Sequence, residues 1–389
     1  MKVVFFATTI LEHGGGLEKY FIETAKSFAE FPNIKADIVT MDDNFTYKIT
    51  DLLSIYYFKK IKRKSLYNEA LNTIKQRLGK ANYYKCKNLK ELKEKLNEYD
   101  VIYSKNEVLE AFIFKFFIRY KNLPPIIFGV HTPHFYPMAE SLQAKIHNLL
   151  YGTKIYNFLT NGVSTFHVIN SADEKRLKKQ LGTRDIKKIY NPFDFNRFRM
   201  NANKYKYNFK FDENKFNIIW LGRLTEQKGV QDLIKIIDEL NPTLDGKVIW
   251  NIIGEGTEKD KIIKLKGKWE NINYFGHIEN KYIPSIMGKN DLFILTSKWE
   301  AFPYTIIEAQ AMNLPVISYN IPGSQDIIKN NVNGFLVKNI EDFESTITNF
   351  IDGKSRLKIK DFNSYVSAKF DPDLIYNDLL ELFKNAKAN

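Results

Sequence analysis

Short apolar runs alternating with amphipathic segments are the feature that most constrains what this chain can fold into. VVFFATTI (3–10) is a buried-strand run, and EKYFIETAKSFAEF after it places Tyr20, Phe21, Ala25, Phe28 and Ala29 on one helical face. ADIVT (36–40), DVIYS (100–104), IIFGV (126–130) and HVIN (167–170) read as later strands of the same sheet. Near IYNPFDFNRF (189–198) and the polar stretch NANKYKYNFKFDEN (201–214) the alternation pauses, which reads as a linker near 195–214. It resumes with FNIIWLG (216–222), then VQDLIKIIDEL (230–240), a helix with Val230, Leu233, Ile234, Ile237 and Leu240 inward. The strands KVIWNIIG (247–254), DLFILT (291–296) and PVISY (315–319) follow. Alternating strand and helix predict an α/β architecture with parallel sheets, and 389 residues exceed one ordinary core. Two doubly wound domains are expected, 1–195 and 196–370, with strand ends facing a cleft. Residues 371–389 form an amphipathic C-terminal helix able to pack back on the N-terminal domain.

Composition excludes several classes. The single cysteine, Cys86, rules out an intramolecular disulfide and fits a reducing, cytoplasmic compartment. With six scattered histidines and no cysteine pair, the chain has no tetrahedral metal signature, and no metal or other cofactor is expected. No run of 18 apolar residues is present to span a bilayer. The net charge of +13 is uneven: Lys59 to Lys121 carries 17 Lys and Arg against 7 Asp and Glu. There, cations alternate with rings in IYYFKKIKRK (55–64) and FIFKFFIRYK (112–121), which suits a peripheral surface on an anionic membrane and equally suits solvated helix faces.

Four stretches carry chemistry. In WEAFPYTIIEA (299–309), Glu300 stands on the loop after a strand and Glu308 about one and a half turns into a helix whose first turn suits Pro303. Between them the backbone N–H groups around Tyr304 and Thr305 favour phosphate, and the carboxylates suit hydroxyls on either side of it. E-x7-E alone also occurs on ordinary solvated helices. In GRLTEQKG (222–229), Arg223 and Lys228 lie on a strand-to-helix loop, an arrangement that clamps a diphosphate or leaves two surface cations in water. HGGGLEKY (13–20) lets the backbone approach an anion at a helix start, or makes a plain tight turn. His131 falls at a strand end in GVHTPHF (129–135), in a structural or a ligand-facing role. The GEG (254–256) and GHIEN (276–280) loops end strands and could touch a base.

Taken in order, G-G-x-E at Gly15 to Glu18, IYNPFDFNRF, GRLTEQKG, IIGEG, E-x7-E and NLPVISYNIPGSQDIIKNNVNGFLV resemble the retaining glycosyltransferases of family 4. The resemblance covers most of the chain and is densest from 189 to 337. It implies a GT-B fold: two Rossmann-like domains, the first binding an acceptor and the second a nucleotide-diphosphate sugar. Carried over by position, Arg223 and Lys228 hold the donor diphosphate, Glu308 the ribose hydroxyls, and Glu300 lies beside the transferred sugar. Ala301, Phe302, Pro303, Tyr304 and Thr305 supply backbone contacts. Gly15 and Gly16 match the loop near the diphosphate and acceptor, and His131 a histidine that approaches the donor sugar. Ala301 and Pro192 stand where glycine is usual; neither change removes a charged group.

The implied reaction moves a hexose or N-acetylhexosamine from a UDP- or GDP-sugar to a glycan or lipid-linked acceptor, with retention and without a metal. The catalytic assignments are His131, Arg223, Lys228 and Glu300. Two other readings stay open: a nucleotide-sugar epimerase of the same fold, and a non-catalytic polyanion-binding protein. No helix-turn-helix, zinc module or RNA-recognition motif supports nucleic-acid binding.

Overall fold

The computed structural model describes residues 1–8, 16–41, 79–105, 108–132, 134–135, 142–209 and 211–388. The chain divides into two compact units, one formed by Met1–Asn191 with Asp373–Asn389 and the other by Pro192–Pro372. In the first, strands β1 (Lys2–Ala7), β2 (Lys35–Met41), β3 (Tyr83–Cys86), β4 (Val101–Lys105), β5 (Ile126–Val130), β6 (Thr165–Val168) and β7 (Asp185–Lys188) form one sheet. Its order is β3-β2-β1-β4-β5-β6-β7, and every pairing is parallel. The inner strands are apolar on both faces because helices cover both. On one face Phe5, Tyr103 and Ile127 meet Phe21 and Phe28 of helix Gly16–Ala29, and Leu379 and Phe383 of the C-terminal helix Pro372–Ala388. On the other, Phe6, Ile102, Phe128 and Phe166 meet Leu92, Phe114, Tyr156 and Leu177.

The second unit repeats the plan with β8 (Phe216–Leu221), β9 (Val248–Ile253), β10 (Ile272–Gly276), β11 (Leu292–Leu295), β12 (Val316–Tyr319) and β13 (Phe335–Val337) in the order β10-β9-β8-β11-β12-β13, again all parallel. Trp220 and Trp250 fill its centre, and the helix that follows β8 runs Val230–Leu244. In that helix Ile236 is fully buried while Ile234 is only partly so.

Three details differ from the sequence expectation. The stretch read as a linker begins with a helix, Phe195–Lys204, because the Asp194 carboxylate accepts from the Arg197 amide at 2.9 Å and Phe195 is buried beneath Phe193. HVIN ends early as a strand: β6 stops at Val168, and Asn170 caps the helix Ser171–Leu181 by accepting from Asp173 N at 2.8 Å. Pro303 precedes the helix Tyr304–Ala311 in extended conformation instead of occupying its first turn.

The loop after β8 needs glycine at one turn. Gly229 has φ +68°, and a Cβ there would lie 1.9 Å from the Thr296 carbonyl oxygen on the loop after β11. All four tryptophans (Trp220, Trp250, Trp269 and Trp299) lie in the second unit, so their fluorescence reports that unit by itself. Gly229→Ala is expected to destabilise it by more than about 1 kcal/mol in denaturant titrations followed by tryptophan emission. An unchanged midpoint would show that the loop absorbs a Cβ.

Candidate active site

Ligands of open doubly wound sheets bind beyond the carboxyl ends of the strands, where the strand order reverses. In the second unit that point lies between β8 and β11. The loops leaving these two strands carry Arg223 and Lys228 on one side and Glu300 on the other, and the structure brings them together. Lys228 Nζ forms an ion pair with Glu300 Oε1, and both side chains are mostly buried. Ser297 Oγ donates to the same carboxylate oxygen at 3.0 Å. The backbones are tied as well: Thr296 Oγ1 donates to Lys228 O at 2.9 Å, Lys298 N to Gln227 O at 2.8 Å, and Gln227 Nε2 to Trp299 O at 3.2 Å. Arg223 stays exposed, its guanidinium 3.5 Å from Gln227 Oε1. A fixed lysine and an exposed arginine thus share one loop.

The helix Tyr304–Ala311 starts from this place. Its cap position is Pro303, whose side chain has no acceptor for the first turn, and Thr305 Oγ1 is buried with no hydrogen-bond partner among the described residues. Those first-turn N–H groups and the helix dipole favour an anion. Ala301 and Phe302 are buried under this turn, with the Phe302 ring 5.4 Å from Phe370 and 5.3 Å from Tyr304. Glu308 lies on the same helix, half-buried. Gly323 N donates to Glu300 O at 3.2 Å, and a Cβ at Gly323 would come within 2.8 Å of that oxygen. The glycine in IPGSQ is therefore what lets the first turn of the helix Pro322–Ile327 reach the Glu300 backbone.

In the first unit, His131 follows β5 and is only part-exposed. Its Nε2 lies 2.7 Å from Tyr103 OH, which lies 2.6 Å from His167 Nδ1; His167 Nε2 lies 2.8 Å from Ile189 O. The Tyr20 ring covers the imidazole at a centroid distance of 4.0 Å. Burial, reinforced by His167, holds His131 well below the usual imidazole range, and burial pushes His167 down to about 4. The reversal point of this sheet, between β1 and β4, holds a second buried group. Thr8 donates to Glu110 Oε1 from both N (3.1 Å) and Oγ1 (2.6 Å), with Lys105 Nζ 3.5 Å away. Gly16 opens the first helix; Gly15, His13 and Gly14 lie outside the described residues, as does the basic aromatic stretch 55–64. Among the described residues, no group of three or more His, Cys, Asp or Glu is placed to hold a metal ion, and no helix is long and apolar enough to cross a membrane.

Sequence reasoning missed Tyr103, His167, Glu110, Lys105, Ser297 and Gln227. Only Gly129 signalled the first pair, since a glycine inside a strand marks a close approach.

Comparison with known proteins agrees with this layout. Residues 201–365, which lie in the second unit, match the family model for glycosyl transferases group 1. An Escherichia coli UDP-Gal:alpha-D-GlcNAc-diphosphoundecaprenol alpha-1,3-galactosyltransferase is 28% identical over 247 residues, 58% of this chain and 60% of its own. An uncharacterized 41.2 kDa protein from the cps region of Klebsiella pneumoniae is 29% identical over 177 residues, 44% of this chain and 47% of its own. The chain spans about half the length of the curated relatives it matches. Among solved structures, Anabaena Alr3699/HepE in complex with UDP superposes with a TM-score of 0.72 at 19% identity, covering 99% of this chain and 100% of that one. The fold is the α/β GT-B fold.

The ion pair generates a prediction. Lys228→Ala leaves the Glu300 carboxylate, among the described residues, with the Ser297 hydroxyl and is expected to cost the second unit about 1–3 kcal/mol. The double variant Lys228→Ala/Glu300→Ala should recover part of that loss. Additive losses in a double-mutant cycle read by tryptophan emission would show that the pair contributes no coupling.

Proposed function

We propose that this protein is a retaining, metal-independent glycosyltransferase of family 4. It moves a hexose or N-acetylhexosamine from a UDP- or GDP-sugar to a glycan or lipid-linked acceptor in the synthesis of cell-surface polysaccharide or glycolipid. The observation that carries the reading is the meeting of Arg223, Lys228, Glu300 and the uncapped turn at Tyr304 and Thr305 at the reversal point of a unit that matches the group 1 model. HepE crystallised with UDP, and the E. coli relative, named for UDP-Gal, support a nucleotide-sugar donor.

In this reading the bond from the anomeric carbon to the diphosphate breaks, and a bond to the acceptor oxygen forms on the same face. The acceptor proton passes to the departing phosphate oxygen. Arg223, Lys228 and the helix N-terminus stabilise the charge growing on the leaving diphosphate, which is electrostatic catalysis by fixed donors. Glu308 accepts from the ribose hydroxyls, Glu300 faces the transferred sugar, and His131 positions it. Neither glutamate serves as a glycosidase-type nucleophile.

The cytoplasm, peripherally at the inner face of the membrane, is the proposed location. The Phe116, Phe117 and Phe158 side chains are 49%, 38% and 54% exposed, with Lys115 Nζ 4.5 Å above the Phe158 ring. Exposed Arg119, Lys121 and Lys154 lie nearby in sequence, so the face pairs rings with cations, as contact with anionic headgroups requires. Sedimentation with anionic vesicles is expected to retain the protein and to lose it on Phe116→Ser/Phe158→Ser. Equal retention by zwitterionic vesicles would remove the membrane reading.

Donor binding is tested by calorimetric titration with UDP-, GDP-, ADP- and dTDP-sugars. One nucleotide series is expected to bind, with affinity lost by about tenfold or more in Lys228→Ala and Glu308→Ala. Isomerised donor without acceptor would make the protein an epimerase. Failure of every nucleotide sugar, with polyanions still bound after charge reversal at Arg223 and Lys228, would make it a polyanion-binding protein.

A further inference from the structure

Four residues after Lys228 and two before Glu300, the same two segments of the second unit meet a second time with the charges reversed. The Asp232 carboxylate, in the first turn of the helix Val230–Leu244, forms an ion pair with Lys298 Nζ on the loop after β11. Tyr319 OH, at the end of β12, donates to the same oxygen, Asp232 Oδ2, at 2.6 Å. The Lys298 ammonium also lies 5.4 Å from the centre of the Tyr319 ring. Burial, and then the hydrogen bond to Asp232, raise the Tyr319 pKa and keep its hydroxyl a donor. An acidic residue in a first turn is common, because the helix dipole favours it. Asp232 does more than open a helix: it is only 7% exposed, and both partners come from other strands.

We infer that Asp232 and Lys298 are positioning residues that set the register of the loop bearing Glu300 against the loop bearing Lys228. The two ion pairs run in opposite senses, Lys228 to Glu300 and Asp232 to Lys298. Exchanging partners would set lysine against lysine and aspartate against glutamate, so only one register satisfies both. Between the pairs lie the main-chain bond from Lys298 N to Gln227 O at 2.8 Å and the bond from Thr296 Oγ1 to Lys228 O at 2.9 Å. Thr296 Oγ1 is itself fixed by Trp220 Nε1 at 3.0 Å. Tyr319 brings in β12, whose following helix reaches Glu300 O through Gly323 N. One carboxylate thus ties together the three segments from which the site is assembled. The pairs differ in what else they can bind. Lys228 belongs to the proposed diphosphate clamp, so a ligand draws on the donors of the first pair. Asp232 is buried against its two donors, and the second pair holds the segment in place while the first is shared with the ligand.

Removing this charge should leave the unit folded. The Lys298 side chain is 29% exposed, so without Asp232 its ammonium can turn to water and is not stranded. Asp232→Asn is nearly isosteric, and its amide oxygen still accepts from Tyr319 OH, which confines the change to the charge. What register governs is transfer, since a group displaced by about 1 Å can cost on the order of 100-fold in rate. The register assignment stands on the second unit alone. Its effect on transfer rests on the glycosyltransferase reading above, and separate measurements address the two.

The first test reads the backbone by hydrogen–deuterium exchange and mass spectrometry on the full chain, comparing wild type with Asp232→Asn, Lys298→Met and the double variant. Exchange in a peptide covering Thr296 to Glu300 should speed up by about tenfold in each single variant. The double variant should go no further, because either change removes the same pair. Lys298→Arg, which keeps the charge, should retain wild-type protection. Peptides from β9 open with the whole unit and should change less. Acceleration no greater than in β9, or equal in Lys298→Arg and Lys298→Met, overturns the register role. The second test is kinetic, with whichever nucleotide sugar the titration identifies. Asp232→Asn and Lys298→Met, shown to be folded by circular dichroism, should lower kcat by about tenfold, and Lys298→Arg should recover most of it. Affinity for the free nucleoside diphosphate should stay unchanged, because Arg223 and Lys228 are intact. Unchanged kcat in both variants overturns the positioning role, and so does a loss of diphosphate affinity as large as that of Lys228→Ala. If no nucleotide sugar binds wild type, the glycosyltransferase reading fails and the effect on transfer with it, while exchange still decides the register.

Discussion

The ion pair between Lys228 and Glu300 is the interaction on which the second unit's site depends. It joins the loop after β8 to the loop after β11, the two strands at which the sheet reverses its winding order. A parallel sheet brings such loops close, but closeness alone leaves them free to shift. Here one charge contact is reinforced by main-chain bonds from Lys298 to Gln227 and by Thr296 to the Lys228 carbonyl. Gly229 admits the Thr296 carbonyl, and Gly323 admits the Glu300 carbonyl. The charged pair is therefore held by backbone on both sides, which is the condition under which a mostly buried pair is worth having despite its desolvation cost.

The first unit solves a similar problem differently. One set of its buried polar groups sits on the face of the sheet that carries Phe5 and packs against Phe383, where an unsatisfied donor would be costly. Neutral groups linked in sequence, Ile189, His167, Tyr103 and His131, satisfy one another without burying a net charge. Each bond polarises the next, so the chain is stiffer than its members taken singly. The C-terminal helix closes this face, with Phe383 5.9 Å from Tyr103, so the last segment of sequence shields the hydrogen-bonded groups supplied by its middle.

The doubly wound plan was legible because the inner strands read as near-continuous apolar runs alternating with amphipathic helical segments. What escaped were the edge strands β3 and β7: YYKC and DIKK are short, polar and half-exposed, and pairing on one side needs no apolar run. The site was legible where it is local. Arg223 and Lys228 fall on one loop, Glu300 and Glu308 on one loop and helix, and E-x7-E could be counted. That Lys228 binds Glu300 could not be counted, because 72 residues separate them. Tyr103 and His167 were illegible for the same reason. They are single polar residues in apolar strands, and only the sheet order sets them on either side of Gly129.

A lysine already bound to a glutamate looks ill-suited to hold a diphosphate, yet the geometry favours a shared role. An ammonium has three N–H donors, and Glu300 takes one of them, leaving donors for phosphate oxygens without breaking the pair. Glu300 in turn keeps the Ser297 hydroxyl, so its carboxylate is not stranded if Lys228 leans toward a ligand. Among the described residues Arg223 has no such tie: it is exposed, with a long contact to Gln227. The lysine thus supplies a charge that is in place before a ligand arrives, whereas the arginine must give up solvent and side-chain freedom when one binds. Fixed charge is what stabilises a leaving group with little reorganisation, so in the proposed reaction the preorganised part of the clamp is Lys228 with the turn at Tyr304, and Arg223 closes on it afterwards.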